Sequence, residues 1–265
     1  MLIATRKRTT MLKTCLFSLL DRAADLKNLE ILIAFDNDDT DTISWTQENI
    51  LPEFDELGIS YTCLSFERLG YLRINEYYNK LADKATGDWL FFWATDAIME
   101  TQDWDSRIRD CDGEFKLLKV HTHNEHPYSI FPIIPAKWKE ITGVYSRHQM
   151  IDAEVSQIAY MLDLVKIIEV NALHDRHDLT GNVVTNDEGF QNRPMYEGNP
   201  QNPMDFHHLS WNNGRIMDSE KISQYLKSIG EDTSWWENVK MGKQDPWEKL
   251  KKNDINGQMF QYKAR

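Results

Sequence analysis

The sequence predicts an α/β fold, an open and mostly parallel sheet flanked by helices. Three observations predict it. Four short apolar runs open the chain, at Leu2–Thr5, Leu29–Phe35, Ile59–Phe66 and Trp89–Ala94. Helical periodicity separates each run from the next. Leu29–Phe35 and Trp89–Ala94 are apolar throughout rather than alternating, the mark of strands buried on both faces.

The elements follow in order. Thr9 or Thr10 is expected to cap a first helix, with Met11, Leu12, Cys15, Leu16 and Leu19 on one face. Asp36-Asn37-Asp38-Asp39 ends the second strand. A weaker helix over Thr42–Leu57 is broken at Pro52 and closed by Gly58. Ile74–Ala85 reads as a helix, and a short one is expected around Gln102–Arg109. Beyond it the pattern is less regular. Phe115–His121 and Tyr128–Ile134 read as strands or edge segments, Val165–Val170 as a strand, and Ala136–Ile141 and Ile151–Leu162 as helices. Gly181–Gly214 carries seven Asn and three Pro and reads as a long loop. Two amphipathic helices are expected at Asp218–Ile229 and Asp232–Lys240. This divides the chain into an α/β part, 1–180, and a loop with a helical extension, 181–265, packed on the same domain.

Composition limits the partners. The 265 residues carry 42 acidic and 30 basic side chains, a net charge of -12, which disfavours a broad polyanion footprint. Residues 1–20 nevertheless hold Arg6, Lys7, Arg8 and Lys13 and no carboxylate. The three cysteines, Cys15, Cys63 and Cys111, are far apart and form no CxxC pair, which fits a reducing compartment. MLIATRKRTT does not read as a signal peptide, and no run of eighteen apolar residues predicts a membrane span. A cytoplasmic protein is expected.

Ligands of open parallel sheets sit beyond the carboxyl ends of the strands. Thr5-Arg6-Lys7-Arg8 follows the first strand, where it suits a phosphate or a solvated basic turn. Asp36, Asp38 and Asp39 follow the second, where they suit a base N–H, a ribose hydroxyl, a metal or a helix cap. Thr95-Asp96 follows the most apolar strand, where a carboxylate suits a hard divalent cation or a helix cap. His174 and His177, in His174-Asp175-Arg176-His177-Asp178, follow Val165–Val170 and offer an imidazole to a metal at Asp96, or line a polar loop. The group His121, His123 and His126 fits a site or a strand and loop equally. GxGxxG, GxxxxGK[ST] and GxSxG are absent, which disfavours a Rossmann dinucleotide site, a P-loop and a hydrolase elbow.

In order and spacing, IATRKRTTMLKTCLFSLL, LEILIAFDNDDTDT and LGYLRINEYYNKLADKATGDWLFFWATDAIMETQDWD resemble a family. It is the nucleotide-sugar glycosyltransferases of the GT-A fold, nearest family 2 and its phage-encoded members. Asn79, Gly87, Asp88 and Trp104-Asp105 stand at the family's expected places, and the likeness covers about residues 1–178.

The resemblance implies a metal-assisted, inverting transferase of the EC 2.4 type, using Mn²⁺ or Mg²⁺ and favouring a UDP-sugar donor. It implies donor binding by Thr5, Arg6, Arg8, Asp36, Asp38, Asp39, Arg73, Asn79 and Thr95. Asp96 would be the last carboxylate of the DxD metal motif, with His174 or His177 as a late ligand. Asp152 would be the general base, although the same residue also suits a helix cap. The first Asp of the DxD is Ala94 here, a departure that leaves one carboxylate at the metal.

Two further readings stay open: a nucleotidyltransferase, and a non-catalytic protein that binds sugar nucleotides or carbohydrate. The acceptor is a glycan or a modified nucleobase, the latter served by a short groove of Lys137, Lys139 and Arg147. The oligomeric state is not written in the sequence.

Overall fold

The protein is described by a computed structural model covering residues 1–122, 126–174 and 197–248. Its strands are β1 (Leu2–Thr5), β2 (Glu30–Asp36), β3 (Ser60–Phe66), β4 (Trp89–Trp93), β5 (Ala97–Met99), β6 (Leu117–Thr122), β7 (Ile133–Pro135) and β8 (Val165–His174). Its helices are α1 (Thr9–Leu20), α2 (Thr40–Asn49), α3 (Leu51–Leu57), α4 (Ile74–Ala82), α5 (Trp104–Arg109), α6 (Ala136–Thr142), α7 (Ile151–Met161), α8 (Leu209–Ser228) and α9 (Ser234–Lys240).

The strands form one sheet in the order β3-β2-β1-β4-β7-β6-β8-β5. It is mixed, which corrects the expectation of a mostly parallel sheet. The half built from the β-α-β repeats, β3-β2-β1-β4, is parallel. In the other half β7 runs antiparallel to β4 and β6, and β5 antiparallel to β8. Only β6 and β8 are parallel there, joined through α6 and α7.

Alternation along β1 and β2 builds two apolar layers. Ile3, Ile31, Ile33 and Phe35 face α1 and its Leu12, Leu16 and Leu19. Leu2, Leu32 and Ala34 belong to the opposite layer, with Tyr78 and Leu81 of α4, Val155 of α7, and Ile222 and Leu226 of α8. Trimming a fully buried Leu such as Leu16 to Ala would cost about 2–5 kcal/mol.

Several boundaries differ from the sequence reading. α1 is capped by Arg8, with no side-chain cap bond, not by Thr9 or Thr10. Only three residues separate β1 from α1, so the helix starts early and Leu12 N–H already reaches Arg8 O at 2.8 Å. The break at Pro52 lies in the first turn of α3, and Gly58 ends that helix at φ 69°, a conformation that favours glycine. The short helix after β5 begins at Trp104, and the Tyr128–Ile134 segment contributes only its end, to β7. β8 runs four residues past Val170, because β5 pairs with its end. α8 begins at Leu209, inside the span read as loop; residues 181–196 of that span lie outside the described residues. Among the described residues no helix is long and apolar enough to cross a membrane.

Candidate functional site

The carboxyl ends of β1, β2 and β4 bring the predicted residues to one rim. β1 and β2 pair in register up to Thr5 and Phe35, so Arg6 emerges beside Asp36. Arg6 Nη1 donates to Asp36 Oδ2 at 2.9 Å, and the guanidinium also grips Asp38, with Nη2 at 3.0 Å from Oδ2. The other Asp36 oxygen accepts from the Tyr77 hydroxyl of α4. Asp39 is buried and accepts the Lys7 N–H at 2.6 Å, which holds Lys7 at a positive φ of 51°. Arg6 is therefore bound to Asp36 and Asp38, and Asp39 to the Lys7 backbone. They tie the ends of β1 and β2 together.

Arg8 faces the other way. Its Nη1 donates to the buried Thr95 Oγ1 at 3.1 Å. Asp96 follows immediately, in the sharp turn where Ala97 N–H bonds Ala94 O. The β5–β8 register places Ala97 opposite His174, and His174 Nε2 stands 3.6 Å from Asp96 Oδ1. Burial pushes the Asp96 carboxyl up, but the His174 imidazole and the Arg8 guanidinium outweigh it and hold Asp96 below the usual carboxylate range. Asp96 Oδ1, His174 Nδ1 and Thr5 Oγ1 are buried polar atoms with no hydrogen-bond partner among the described residues. Buried polar atoms are normally satisfied, so Asp96 Oδ1 and His174 Nδ1 can each take a further partner.

A carboxylate oxygen and an imidazole nitrogen are a mixed donor pair that suits Mn²⁺ or Mg²⁺ if other oxygens complete the sphere. The residues present fit such a cation as a partial ligand set. No cluster of three or more metal-binding side chains occurs among the described residues, and His177 lies outside them.

Asp152 stands in the first turn of α7, half-buried, with no hydrogen bond to its carboxylate among the described residues. Glu154, two residues further on, ties the loop before α7 to the helix. Its Oε2 accepts from the Ser146 hydroxyl, from Arg147 N–H at 2.6 Å and from His148 N–H at 3.0 Å. Burial nevertheless pushes the Glu154 carboxyl up. Sequence reasoning did not single out Glu154 or Tyr77; neither carries a spacing signal of its own.

Asn79 and Arg73 are placed differently from the rim group. Asn79 Oδ1 accepts from Tyr145 and Ser146 N–H at 2.7 and 3.0 Å, and its Nδ2 donates to Ser146 O at 2.8 Å. The side chain pins the loop leading to α7. Arg73 is exposed at the start of α4 and paired with Glu76, Nη2 to Oε2 at 2.8 Å. Trp104-Asp105 is likewise a brace: Trp104 Nε1 bonds Leu19 O at 2.9 Å, and buried Asp105 accepts from Ala24 and Asp25 N–H. The three basic residues of the supposed nucleobase groove each hold a carboxylate: Lys137 with Glu140, Lys139 with Asp83, and Arg147 with buried Asp218.

The sequence matches no protein-family model, and no curated protein matches it. Solved structures share its fold. Residues 1–349 of S. aureus TarS, in complex with UDP, superpose with a TM-score of 0.53 at 11% identity, over 91% of this chain and 90% of that one. The mannosyltransferase PcManGT of Pyrobaculum calidifontis, in complex with GDP-Man and Mn²⁺, gives 0.52 at 11% identity, over 91% and 77%. A longer S. aureus TarS structure gives 0.51 at 10% identity, and this chain spans only 42% of its length. The architecture resembles known glycosyltransferase folds, and at such identities the likeness extends to the fold alone.

Proposed function

We propose that the protein is a GT-A-type glycosyltransferase that moves a sugar from a nucleoside-diphosphate sugar, a UDP-sugar by preference, to an acceptor hydroxyl. One observation carries this reading. Asp96 and His174 meet at the rim beside Arg8, each with one buried polar atom that lacks a partner among the described residues. The fold likeness supports it, since one similar structure holds GDP-Man with Mn²⁺ and another holds UDP.

Asp96 and His174 would hold the divalent cation, which when bound neutralises charge on the leaving diphosphate. Arg8 sits beside them and adds a fixed positive charge for the same oxygens. Arg6, saturated by Asp36 and Asp38, builds the floor of the nucleotide side rather than contacting phosphate. Asp152 takes the proton from the acceptor hydroxyl as that oxygen bonds the anomeric carbon. The bond from that carbon to the diphosphate oxygen breaks, and its electron pair leaves with the nucleoside diphosphate. The configuration inverts.

The test is binding and turnover with a panel of UDP- and GDP-sugars with and without Mn²⁺. Cation-dependent binding of a sugar nucleotide, and release of its nucleoside diphosphate with acceptor, are expected. Binding without any turnover would favour a carbohydrate-binding role, and preference for triphosphates a nucleotidyltransferase.

A further inference from the structure

β3 is one edge of the sheet, and its outer side is open. Ser60–Phe66 pairs with β2 without a bulge, from Glu30↔Ser60 to Asp36↔Phe66. The Phe66 carbonyl accepts the Asn37 N–H at 2.7 Å, and on the far side of β2 the Leu32 N–H bonds Met1 O at 2.9 Å. These bonds fix which way the backbone groups of β3 point, because successive residues of a strand turn them to opposite sides. Ser60, Thr62, Leu64 and Phe66 turn theirs to β2. Tyr61, Cys63 and Ser65 turn theirs outward, where no other group among the described residues bonds them.

Exposed edges normally carry a guard against a further strand: a charge, a proline, a bulge, short length or a covering element. The opposite edge, β5, is three residues long. β3 is seven residues long, and Ser-Tyr-Thr-Cys-Leu-Ser-Phe holds no charge and no proline.

The edge suits a second copy of itself. Two equal edges close about a two-fold axis, which makes the strands antiparallel. Cys63 is the middle residue of β3. With the axis there, Cys63 stands opposite the partner's Cys63 and Tyr61 opposite the partner's Ser65. The outward groups of Tyr61, Cys63 and Ser65 then meet as donors and acceptors. Charge favours the same arrangement. α3 leads into β3 with Asp55 and Glu56 exposed, and no basic residue lies between Thr40 and Phe66. Glu67-Arg68, a pair without net charge, follows β3. Antiparallel strands set this pair beside the partner's acidic end, whereas strands running the same way would set acid against acid.

We propose that β3 is a self-association edge, through which two copies of this chain join their sheets about a two-fold axis at Cys63. The proposal is independent of the sugar-transfer reading. A contact confined to one strand falls below the roughly 1,200 Å² of a standard stable interface, so the dimer forms only as concentration rises.

Sedimentation over a concentration series, cross-linking and amide exchange of the full chain test it. A monomer–dimer equilibrium is expected. A short bis-maleimide should join two chains through Cys63, which is exposed, while Cys15 and Cys111 are buried. Cys63→Ser should lose the cross-link and keep the dimer. Cys63→Lys sets like charges opposite each other and should weaken the dimer about fivefold or more, the scale of one unfavourable cross-strand pair. Ser65→Pro removes only an outward N–H and should weaken the dimer as well, with thermal unfolding little changed. Amide exchange needs no variant. The Tyr61, Cys63 and Ser65 amides should exchange fast in dilute protein and slow as concentration rises, while Thr62 and Leu64 stay protected throughout. A monomer at every concentration, a dimer that does not cross-link at Cys63, or one that both Cys63→Lys and Ser65→Pro leave intact would overturn the proposal. Protection of the three outward amides at every dilution would show that something other than a second copy covers the edge, and would overturn it equally.

Discussion

His174 Nε2 reaches 3.6 Å from Asp96 Oδ1, although the two residues are far apart in sequence. The antiparallel pairing of β5 with the end of β8 produces this approach. Asp96 leaves the most apolar strand, and β8 carries an imidazole to the same rim. Each brings one buried atom that no other described group satisfies.

The basic run after β1 divides into two roles. Arg8→Ala should weaken nucleoside-diphosphate binding about 10- to 100-fold, the scale of a charge-assisted bond, with little change in stability. Arg6→Ala should instead destabilise the fold by about 1–3 kcal/mol, because Asp36 is nearly buried and keeps only the Tyr77 hydroxyl. Calorimetric titration and denaturant unfolding of both variants check the division.

Asp152→Asn should lower kcat by about 100-fold or more while sugar-nucleotide affinity stays unchanged, as expected of a general base that touches only the acceptor. Single-turnover transfer rates beside donor titrations provide the measurement. An unaltered rate would reduce Asp152 to a member of the first turn of α7.

Asp105 predicts an acid-sensitive brace. Burial pushes its carboxyl up, but the Ala24 and Asp25 N–H groups and Arg109 outweigh it and hold it below the usual carboxylate range. A depressed value means the unfolded chain takes up the proton first. The stabilisation is therefore full above the ordinary carboxylate pKa of about 4 and is lost as pH falls through the lowered folded value. Asp105→Ala should cost about 2–4 kcal/mol at neutral pH and flatten the acid limb of the stability curve. Urea unfolding between pH 3 and pH 7, on the order of the range just given, tests this.

The C-terminal segment is held by a pair that crosses from the α6–α7 loop to α8. Arg147 Nε and Nη2 donate to the two oxygens of Asp218 at 2.7 and 2.8 Å, and Asp218 is buried. Arg147→Ala should cost about 3 kcal/mol, softened by Lys221, whose Nζ lies 3.8 Å from Asp218. Faster proteolysis within Leu209–Ser228 should accompany the loss.

The parallel half of the sheet was legible because β1, β2 and β4 are mostly buried and its helices are periodic. The antiparallel half was not. Ala97–Met99 is only three residues long, and its partner, the end of β8, includes polar Asn171 and His174, so neither shows strand patterning. α8 begins at Leu209 across Asn212-Asn213-Gly214, poor helix formers. Tertiary contacts override them: Arg215 Nη2 bonds Phe206 O at 3.1 Å, and Asp218 receives Arg147. Asp96 could be found as the first charge after the most apolar strand. His174 stood out only as one member of a polar cluster, since the register that brings it to Asp96 is a long-range property. The split between Arg6 and Arg8 was hidden for the same reason. Both belong to one basic run, and only the positions of Asp36, Asp38 and Thr95 tell them apart.

The most direct measurement is titration of the wild-type protein and Asp96→Ala with UDP- and GDP-sugars, each with and without Mn²⁺. The account predicts that Mn²⁺ tightens sugar-nucleotide binding to the wild type at least about tenfold, and that Asp96→Ala removes that increment while leaving cation-free binding in place. Binding of nucleoside triphosphates alone, or an Mn²⁺ increment that survives in Asp96→Ala, would contradict it.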